Sequence, residues 1–380
     1  MINEVYIDNF KSLVGFRMKL AKFNCIVGLN GAGKSTILQA LDFLTQLADG
    51  QIDGWLAERH WDKGDLNSKL SKKNNISFEV ITTGEHSGQL KWVGEFNRQK
   101  LSCTSESISL DGSALLKVSG GHFTINGDAS SPIIFSYQGS ILSALKEKEL
   151  PKALLNFKKE LSSMKSMDLL SPHLLRQRAR ASEMDLGLGG EKLSAFLHEL
   201  PNEKREKLEQ YLQRYYPHFS HYQTRSLKSG WKKLSVNEQF GDQRIETEAR
   251  HINDGMLRIM AIVAQTLGEH SFLLFDEIED GINPELIEQL VDQLTDTPQQ
   301  ILVTTHSPMI LNYLDDAIAC CGVQLIYKNR QGFTRARAFF EIPSMAEKLK
   351  VMGPGEVFVD TELSKLVEDL ADETVKSAAQ

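Results

Sequence analysis

The chain has 380 residues, of which 41% are hydrophobic and 24% charged, and its formal net charge is −7 at pH 7. This composition is typical of a globular protein and excludes a disordered chain. The sequence has neither a run of about 18 apolar residues nor a basic N-terminal segment followed by an apolar stretch, so we expect no membrane span and no signal peptide. Cys25 and the Cys320–Cys321 pair lie in apolar, strand-like runs. These runs predict buried, reduced thiols and a cytoplasmic location.

The first predicted elements surround a complete G-x-x-x-x-G-K-S/T motif at residues 28–35. The apolar run at 23–27 predicts a buried strand before the motif, and the apolar spacing over 35–41 predicts a helix after it. In this context backbone N–H groups bind phosphate oxygens, Lys34 contacts the β- and γ-phosphates, and the Ser35 hydroxyl is a ligand of Mg²⁺. The predicted nucleotide-binding residues are Asn30, Gly31, Ala32, Gly33, Lys34, Ser35 and Thr36.

The middle of the chain changes from strand-like to helix-like periodicity. Residues 76–137 are rich in Val, Ile, Phe and Thr, and turn signals at Asp111-Gly112 and Asn126-Gly127 predict antiparallel hairpins. Residues 141–216 have leucines at helical spacing and predict helices. Residues 145–233 contain 18 Lys and Arg against 11 Asp and Glu. This basic segment favours an anionic partner or, alternatively, is a solvated helical face.

Two apolar strands in the second half are predicted to end in polar side chains. Residues 271–275 lead into Asp276 and Glu277, and residues 301–305 lead into His306. Asp276 is a candidate Mg²⁺ ligand, directly or through water, and Glu277 is a candidate for polarising the attacking water. His306 is a candidate contact of the γ-phosphate, because we expect its strand to lie beside the strand that ends in the two carboxylates.

A helix start is predicted between the hairpins and these strands. Asn253 is a good N-cap, and an apolar helix follows through Leu267. The dipole of a capped helix attracts anions at its N-terminus. This helix start has no obvious anion to bind in a monomer, whereas in a head-to-tail homodimer it would close over the nucleotide of the other subunit.

Together these motifs resemble those of ABC-type ATPases of the SMC/RecF/OLD group, and more narrowly the compact ATPase subunits of bacterial anti-phage defence (AriA/PtuA-like) systems. The resemblance covers residues 1–50 and 234–330 well and the middle only in outline. It implies that residues 252–258 are the signature motif, with Asn253 in place of the usual serine. The signature residues implied to contact nucleotide are Asn253, Asp254 and Gly255.

The resemblance implies roles for further residues. Residues 2–12 resemble the opening strand and the neighbours of the adenine, residues 280–284 occupy the D-loop position, and His306 matches the switch histidine. Gln138 follows the predicted strand 133–137 and is the candidate Q-loop glutamine that binds nucleotide and Mg²⁺, with an ordinary surface glutamine as the alternative.

We therefore predict an α/β fold: a P-loop ABC-type ATPase core with a mixed sheet, an antiparallel β subdomain and a helical insertion. The predicted parts are the ATPase core at 1–50 and 234–340, the antiparallel β subdomain at 51–140, the basic helical insertion at 141–233 and an acidic C-terminal tail at 341–380.

The first functional hypothesis is an ATPase that dimerises around two ATP–Mg²⁺ and acts as the sensor or regulatory subunit of an anti-phage defence system. The residues after His306 contain no convincing nuclease set, since Asp315 and Asp316 are adjacent rather than spaced by one. We therefore expect a separate effector protein such as a nuclease, and no membrane partner.

The alternative is a RecF/SMC-like DNA-repair ATPase that binds DNA directly through the basic insertion. Phosphate contacts would come from basic residues, and bases would stack on an aromatic run that is more typical of a core. The basic candidates are Arg176, Arg178, Arg180, Lys158, Lys159, Lys232 and Lys233, and the aromatic ones are Tyr211, Tyr215, Tyr216, Phe219 and Tyr222. A transporter ATPase is a third hypothesis, disfavoured by the long β-rich and basic insertion.

Overall fold

A computed structural model describes residues 1–84, 88–167 and 170–378. The strands are β1 (Ile2–Asp8), β2 (Phe16–Lys19), β3 (Phe23–Val27), β4 (Asn75–Gly84), β5 (Gly88–Asn97), β6 (Ser102–Leu110), β7 (Ser113–Ser119), β8 (His122–Ile125), β9 (Ser131–Pro132), β10 (Lys165–Met167), β11 (Phe219–Ser226), β12 (Lys232–Phe240), β13 (Gln243–Glu248), β14 (Phe272–Phe275), β15 (Gln300–Thr304), β16 (Val323–Lys328) and β17 (Thr334–Ala338). The helices are α1 (Lys34–Asp49), α2 (Ile52–Glu58), α3 (Lys152–Ser162), α4 (Pro172–Leu175), α5 (Leu193–Glu199), α6 (Asn202–Tyr215), α7 (Asp254–Thr266), α8 (Ile287–Asp296), α9 (Pro308–Asn312), α10 (Asp316–Gly322), α11 (Pro343–Leu349), α12 (Pro354–Val359) and α13 (Leu363–Ala378).

A six-stranded sheet in the order β10-β14-β15-β3-β16-β17 forms the centre of the molecule. Its first five strands are parallel and β17 is antiparallel. Strands β3, β14 and β15 are buried along their whole length, as expected for parallel strands covered on both faces. Their carboxyl ends meet at one edge, so the segments that follow them are brought together there. The predicted neighbourhood of the two polar-ended strands is confirmed, because β14 pairs with β15.

The two faces of this sheet bury different elements. Leu273 and Phe275 of β14 belong to a core shared with α7 and α8, whereas Phe272 and Leu274 belong to a core shared with α1. This alternation follows from the period of two in a strand. Helix α1 is therefore held between the central sheet and a second sheet.

The second sheet is antiparallel, has eight strands and confirms the predicted hairpins. Its order is β2-β1-β4-β5-β6-β7-β8-β9. Asp111-Gly112 and Asn126-Gly127 form the turns after β6 and β8, and the φ angles of all four residues lie between 46° and 83°. Positive φ at both central positions is the geometry of a type I′ turn, for which Asp-Gly and Asn-Gly are favoured.

The segment predicted as a helical insertion contains β10 as well as helices. This strand joins the edge of the central sheet, where Lys165 pairs with Leu273 of β14. The prediction of helices alone over 141–216 is therefore wrong at this point. A strand of three residues is too short to show a period of two, so hydrophobic spacing does not reveal it.

The aromatic run predicted as a possible stacking surface lies mostly inside the molecule. Tyr215, Phe219 and Tyr222 are buried in the core formed by α5, α6, β11 and β12. Strands β11, β12 and β13 form a separate antiparallel sheet, and its β12–β13 turn is at Gly241-Asp242, as predicted. Base stacking on these three buried rings is excluded in this conformation, since their faces pack against protein.

The C-terminal part carries two further differences from prediction. Cys320 and Cys321 lie on α10 and are exposed, so the prediction of buried strand thiols is wrong for this pair, whereas Cys25 is buried in β3. The segment predicted as an acidic tail forms α11, α12 and α13, which contribute Met345, Val357 and Leu370 to the core. In the described part of the chain, no helix combines the length and the apolar character that crossing a bilayer requires.

Candidate functional site

A cavity of about 500 Å³ lies at the carboxyl edge of the central sheet. It collects residues from the segments after β1, β3, β14 and β15, from the start of α1 and from the last position of β16. The lining residues are Lys11, Ser12, Asn30, Gly31, Gly33, Lys34, Ser35, Thr36, Asp276, Glu277, His306 and Lys328. Most of the residues that the sequence motifs single out therefore share one cavity, and Lys328 joins them from outside any predicted motif.

The phosphate loop is shaped by close packing against β17. Gly33 has a φ of 111°, and a Cβ added there would lie 2.5 Å from the Thr334 hydroxyl. That hydroxyl donates a hydrogen bond to the Ala32 carbonyl oxygen over 2.9 Å and lies 2.8 Å from the Ser12 hydroxyl. Only glycine fits this position, because both the left-handed backbone and the space exclude a side chain.

Lys34 is the buried cation of the cavity. Its ammonium group donates to the Gly28 carbonyl oxygen over 2.9 Å, and the residue is only 7% exposed. Burial lowers its pKa, and the nearby carboxylates of Asp276, Glu277 and Glu279 oppose this shift. The lysine therefore lies within the electrostatic reach of the acidic strand end across the cavity.

Asp276 and Glu277 leave the end of β14 in different environments. Asp276 is half-buried and accepts a hydrogen bond from the Thr304 hydroxyl, whereas Glu277 is exposed and has a φ of 46°. The Glu277 carboxylate lies 3.5 Å from the Nε2 atom of His306. The two carboxylates thus have separate surroundings, which suits one for holding a cation and the other for contacting a solvent molecule.

Glu279 is a site residue that sequence reasoning missed. One oxygen of its carboxylate accepts three hydrogen bonds from the segment that follows β15: from the Thr305 hydroxyl (2.8 Å), the His306 N–H (2.9 Å) and the Ser307 N–H (3.1 Å). Glu279 therefore fixes the backbone that carries the His306 side chain. The only sequence signal was a third acidic residue two positions after Glu277, and that pattern is common at exposed strand ends.

Gln138 is not part of this cavity, so its prediction as a nucleotide and Mg²⁺ contact is corrected. Its side chain accepts from the Asp53 N–H over 3.0 Å and donates to the Asp53 carboxylate over 2.6 Å. The backbone carbonyl oxygen of Gln138 lies next to Gly50, the residue that follows the last residue of α1. Because α1 begins at the phosphate loop and is about 24 Å long at 1.5 Å per residue, Gln138 lies near the far end of that helix. No glutamine is among the described residues that line the cavity.

The predicted helix cap at Asn253 is confirmed. Its side-chain oxygen accepts from the Met256 N–H over 2.8 Å at the start of α7. Asn253 and Asp254 are exposed, and Gly255 packs against the Gly281 carbonyl oxygen, which a Cβ at Gly255 would approach to 2.8 Å. None of these three residues lines the cavity described above.

The residues of the cavity also fit a magnesium ion. Mg²⁺ prefers oxygen ligands and keeps several waters, so one carboxylate, one hydroxyl and the phosphates of a nucleotide are a suitable set. Ser35 and Asp276 line the same cavity and supply such a hydroxyl and carboxylate. Gln138, the third predicted ligand, does not line this cavity.

Comparisons with known proteins agree with this geometry. A family model described as AAA ATPase domain matches residues 1–254. The chain belongs to this family. It is accordingly an ATPase that binds nucleotide and hydrolyses ATP, with the SMC-like fold that the sequence motifs predict. A search of curated proteins finds no match.

Two solved structures show the similarity of fold. The first is an SMC head described as bound to the C-winged helix domain of ScpA, with a TM-score of 0.57 and 14% identity to this chain. The match covers 88% of this chain and 96% of that one. The second is a Pyrococcus furiosus SMC head with an extended coiled coil, described as bound to the C-terminal domain of ScpA, with a TM-score of 0.56 and 12% identity to this chain. The match covers 92% of this chain and 99% of that one. The prediction of a mixed α/β fold of this type is confirmed.

Proposed function

We propose that this ATPase binds ATP–Mg²⁺ in the cavity at the sheet edge and hydrolyses it as a head-to-tail homodimer around two nucleotides. Lys34 and the loop N–H groups hold the phosphates, and Ser35 and Asp276 hold Mg²⁺, which would neutralise charge on the phosphates. Glu277 orients and polarises the attacking water, and His306 contacts the γ-phosphate. Lys11 and Ser12 line the same cavity and are our candidates for contacting the nucleoside.

The observation that carries the dimer is the separation between the cavity and the start of α7. Asn253 and Asp254 are exposed at a capped helix N-terminus, which attracts anions, yet they do not line the cavity of their own chain. A second copy in head-to-tail orientation would bring this helix start to the γ-phosphate. Each site would then contain the phosphate loop of one subunit and Asn253, Asp254 and Gly255 of the other.

We further propose that the dimer is the sensor or regulatory subunit of a bacterial anti-phage defence system, with a separate effector protein such as a nuclease. The resemblance of the motifs to compact defence ATPases supports this role. The two SMC heads described above are bound to domains of ScpA, so a head of this fold is compatible with a protein partner. The basic segment 145–233 is the surface where we expect specificity for that partner.

Direct binding of DNA, as in a RecF-like repair ATPase, is less well supported. Several of the basic residues that would contact phosphates have partners within the chain. Arg178 contacts Glu248 over 2.6 Å, Lys233 contacts the same carboxylate over 3.4 Å, and Lys158 donates to the Leu142 carbonyl oxygen over 2.8 Å. A titration of duplex DNA at several salt concentrations tests this alternative, since steep salt dependence would reveal phosphate contacts.

The substitution Glu277→Gln tests the proposed function. It removes the group that polarises water while preserving the shape of the side chain, so we expect ATP turnover to fall by about 100-fold or more. Nucleotide should remain bound, and the dimer should accumulate with ATP in light scattering. Turnover at the wild-type rate would show that Glu277 is not the base, and a monomer at saturating ATP would exclude the composite site.

A further inference from the structure

The segment Arg176–Arg180 was predicted as a surface for nucleic-acid phosphates, but its first arginine points to the start of α7. The Arg176 guanidinium donates to the Ile252 carbonyl oxygen over 2.7 Å and also pairs with the Asp254 carboxylate. A third hydrogen bond, to the Pro172 carbonyl oxygen over 3.0 Å, anchors the same side chain to α4. Arg176 thus joins the insertion to the residues on both sides of Asn253.

This contact brackets the helix cap. Ile252 precedes Asn253 and Asp254 follows it, so Arg176 holds the backbone on one side and the first helical side chain on the other. The start of α7 also packs on the proposed D-loop segment. Gly255 lies so close to the Gly281 carbonyl oxygen that a Cβ at position 255 would not fit. The orientation of Asn253 is consequently set by the insertion on one side and by the D-loop on the other.

The rest of the segment is tied to the small antiparallel sheet. Ala179 pairs with Lys232 at the start of β12, and Arg178 contacts Glu248, the last residue of β13. The chain runs from Glu248 directly into the turn at residues 249–251 that precedes Ile252. Two connections therefore lead to the start of α7. The Arg176 side chain connects α4 to it, and the chain from Glu248 to Ile252 connects the small sheet to it.

We propose that Arg176 is a positioning residue that couples the basic insertion to the ATP site of the partner subunit. It contacts no nucleotide itself and acts by fixing how Asn253 is presented across the dimer. A protein partner that moves α4 would alter this contact and so change the rate of hydrolysis. The inference rests on the proposed head-to-tail dimer, in which the start of α7 completes the site of a second copy.

The test compares Arg176→Ala, Arg176→Lys and the control Arg225→Ala in the full chain. Arg225 is an exposed arginine of β11 in the same insertion, and its loss removes the same charge without touching α7. We expect Arg176→Ala to lower kcat about tenfold, because a group displaced by a fraction of an ångström loses alignment with the reacting phosphate. Binding of a fluorescent ATP analogue to the phosphate loop should stay within about twofold of wild type, and Arg176→Lys should restore part of kcat.

Dimerisation gives a second readout. In a Glu277→Gln background, Arg176→Ala should raise the ATP concentration needed for half-maximal dimer, while Arg225→Ala should leave it unchanged. The inference is overturned if Arg176→Ala matches Arg225→Ala in kcat and in dimerisation. It is also overturned if nucleotide binding falls in the same proportion as kcat, because this would indicate general misfolding, or if the only loss is salt-sensitive affinity for duplex DNA.

Failure of the proposed function has a different signature. If Glu277→Gln alone keeps wild-type turnover and forms no dimer, the composite site is wrong. The coupling of Arg176 to the site of a partner subunit is then wrong as well. If instead Glu277→Gln behaves as expected and the kcat of Arg176→Ala equals that of Arg225→Ala, only the positioning role of Arg176 is overturned.

Discussion

The Thr304 hydroxyl accepts a hydrogen bond from the Glu277 N–H over 2.8 Å. Thr304 is the last residue of β15, and Glu277 follows the neighbouring strand β14. The same hydroxyl donates to the Asp276 carboxylate. Glu277 has a positive φ of 46°, a conformation that non-glycine residues adopt at a cost unless their surroundings hold it. Thr304 therefore stabilises the backbone geometry that separates the two carboxylates.

Replacing Thr304 by valine should slow hydrolysis without abolishing nucleotide binding. Valine has nearly the same shape but lacks the hydroxyl, so the Glu277 N–H and the Asp276 carboxylate each lose a partner. We expect kcat to fall about 10- to 100-fold, the loss that misplacement of Glu277, the proposed base, would cause. Thr304→Ser retains the hydroxyl and should remain close to wild type. Steady-state ATPase assays on both variants provide the measurement, and equal rates for the two would contradict this role.

Arg258 links α7 to the segment after β14 by pairing with Asp280, and removal of the arginine should differ from removal of the aspartate. The buried guanidinium donates to the Asp280 carboxylate over 2.7 Å and lies 3.4 Å from the Glu277 carbonyl oxygen, whereas the Asp280 side chain is 63% exposed. Asp280→Ala leaves a buried charge with one acceptor fewer, at a cost of about 1–3 kcal/mol in the free energy of unfolding. Arg258→Met removes the buried charge and leaves a solvated carboxylate.

We therefore expect Asp280→Ala to be the less stable of these two variants in urea denaturation, although its own side chain is mostly in solvent. Exposure alone predicts the opposite order. If Arg258→Met unfolds at the lower urea concentration, the buried guanidinium is not the costly partner, and packing of the arginine side chain is the larger contribution.

The parts of the site that sequence predicted are those in which the chemistry is local. The phosphate loop and the Asp276-Glu277 pair are each a few residues long, and buried strands bring them together by rules that hold for parallel sheets. Gln138 was misplaced because its position depends on where an entire antiparallel sheet meets the far end of α1. Thr334 and Arg176 were missed as structural contacts of the motifs for a related reason: each lies dozens to hundreds of residues from the loop it supports, and no spacing within the sequence reports such proximity.

Glu279→Ala should impair turnover through His306. The substitution removes the acceptor of three hydrogen bonds, two of them from the N–H groups of His306 and Ser307. The His306 N–H loses its acceptor, whereas the Ser307 N–H keeps the Thr305 hydroxyl at 2.9 Å. The loss of these hydrogen bonds costs about 1–3 kcal/mol in the free energy of unfolding. We expect lower kcat together with lower stability in urea denaturation. Glu362→Ala is the control, because Glu362 is the exposed residue immediately before α13. A stable variant with wild-type kcat would show that the segment after β15 keeps its position without Glu279.

The pH dependence of stability should reveal the buried carboxyl of Glu106, which joins the antiparallel sheet to the segment 140–142. It accepts from the Trp92 indole N–H over 2.9 Å, from the Ile141 N–H over 3.2 Å and from the Ser140 hydroxyl. Burial raises its pKa above the ordinary value of 4.5, although these hydrogen bonds oppose the shift. The folded state thus binds this proton more tightly than the unfolded state.

The sign of the effect follows from this difference. The stabilisation from protonated Glu106 is fully present below pH 4.5 and is lost as pH rises through the raised folded pKa. Glu106→Gln cannot ionise and should lack this loss, so the difference in the free energy of unfolding between Glu106→Gln and wild type should move in favour of the variant as pH rises above 4.5. Urea denaturation at a series of pH values measures this, with Glu362→Gln as the exposed control. Parallel pH profiles for wild type and Glu106→Gln would show that Glu106 is already ionised in the folded chain throughout that range, held by its three donors.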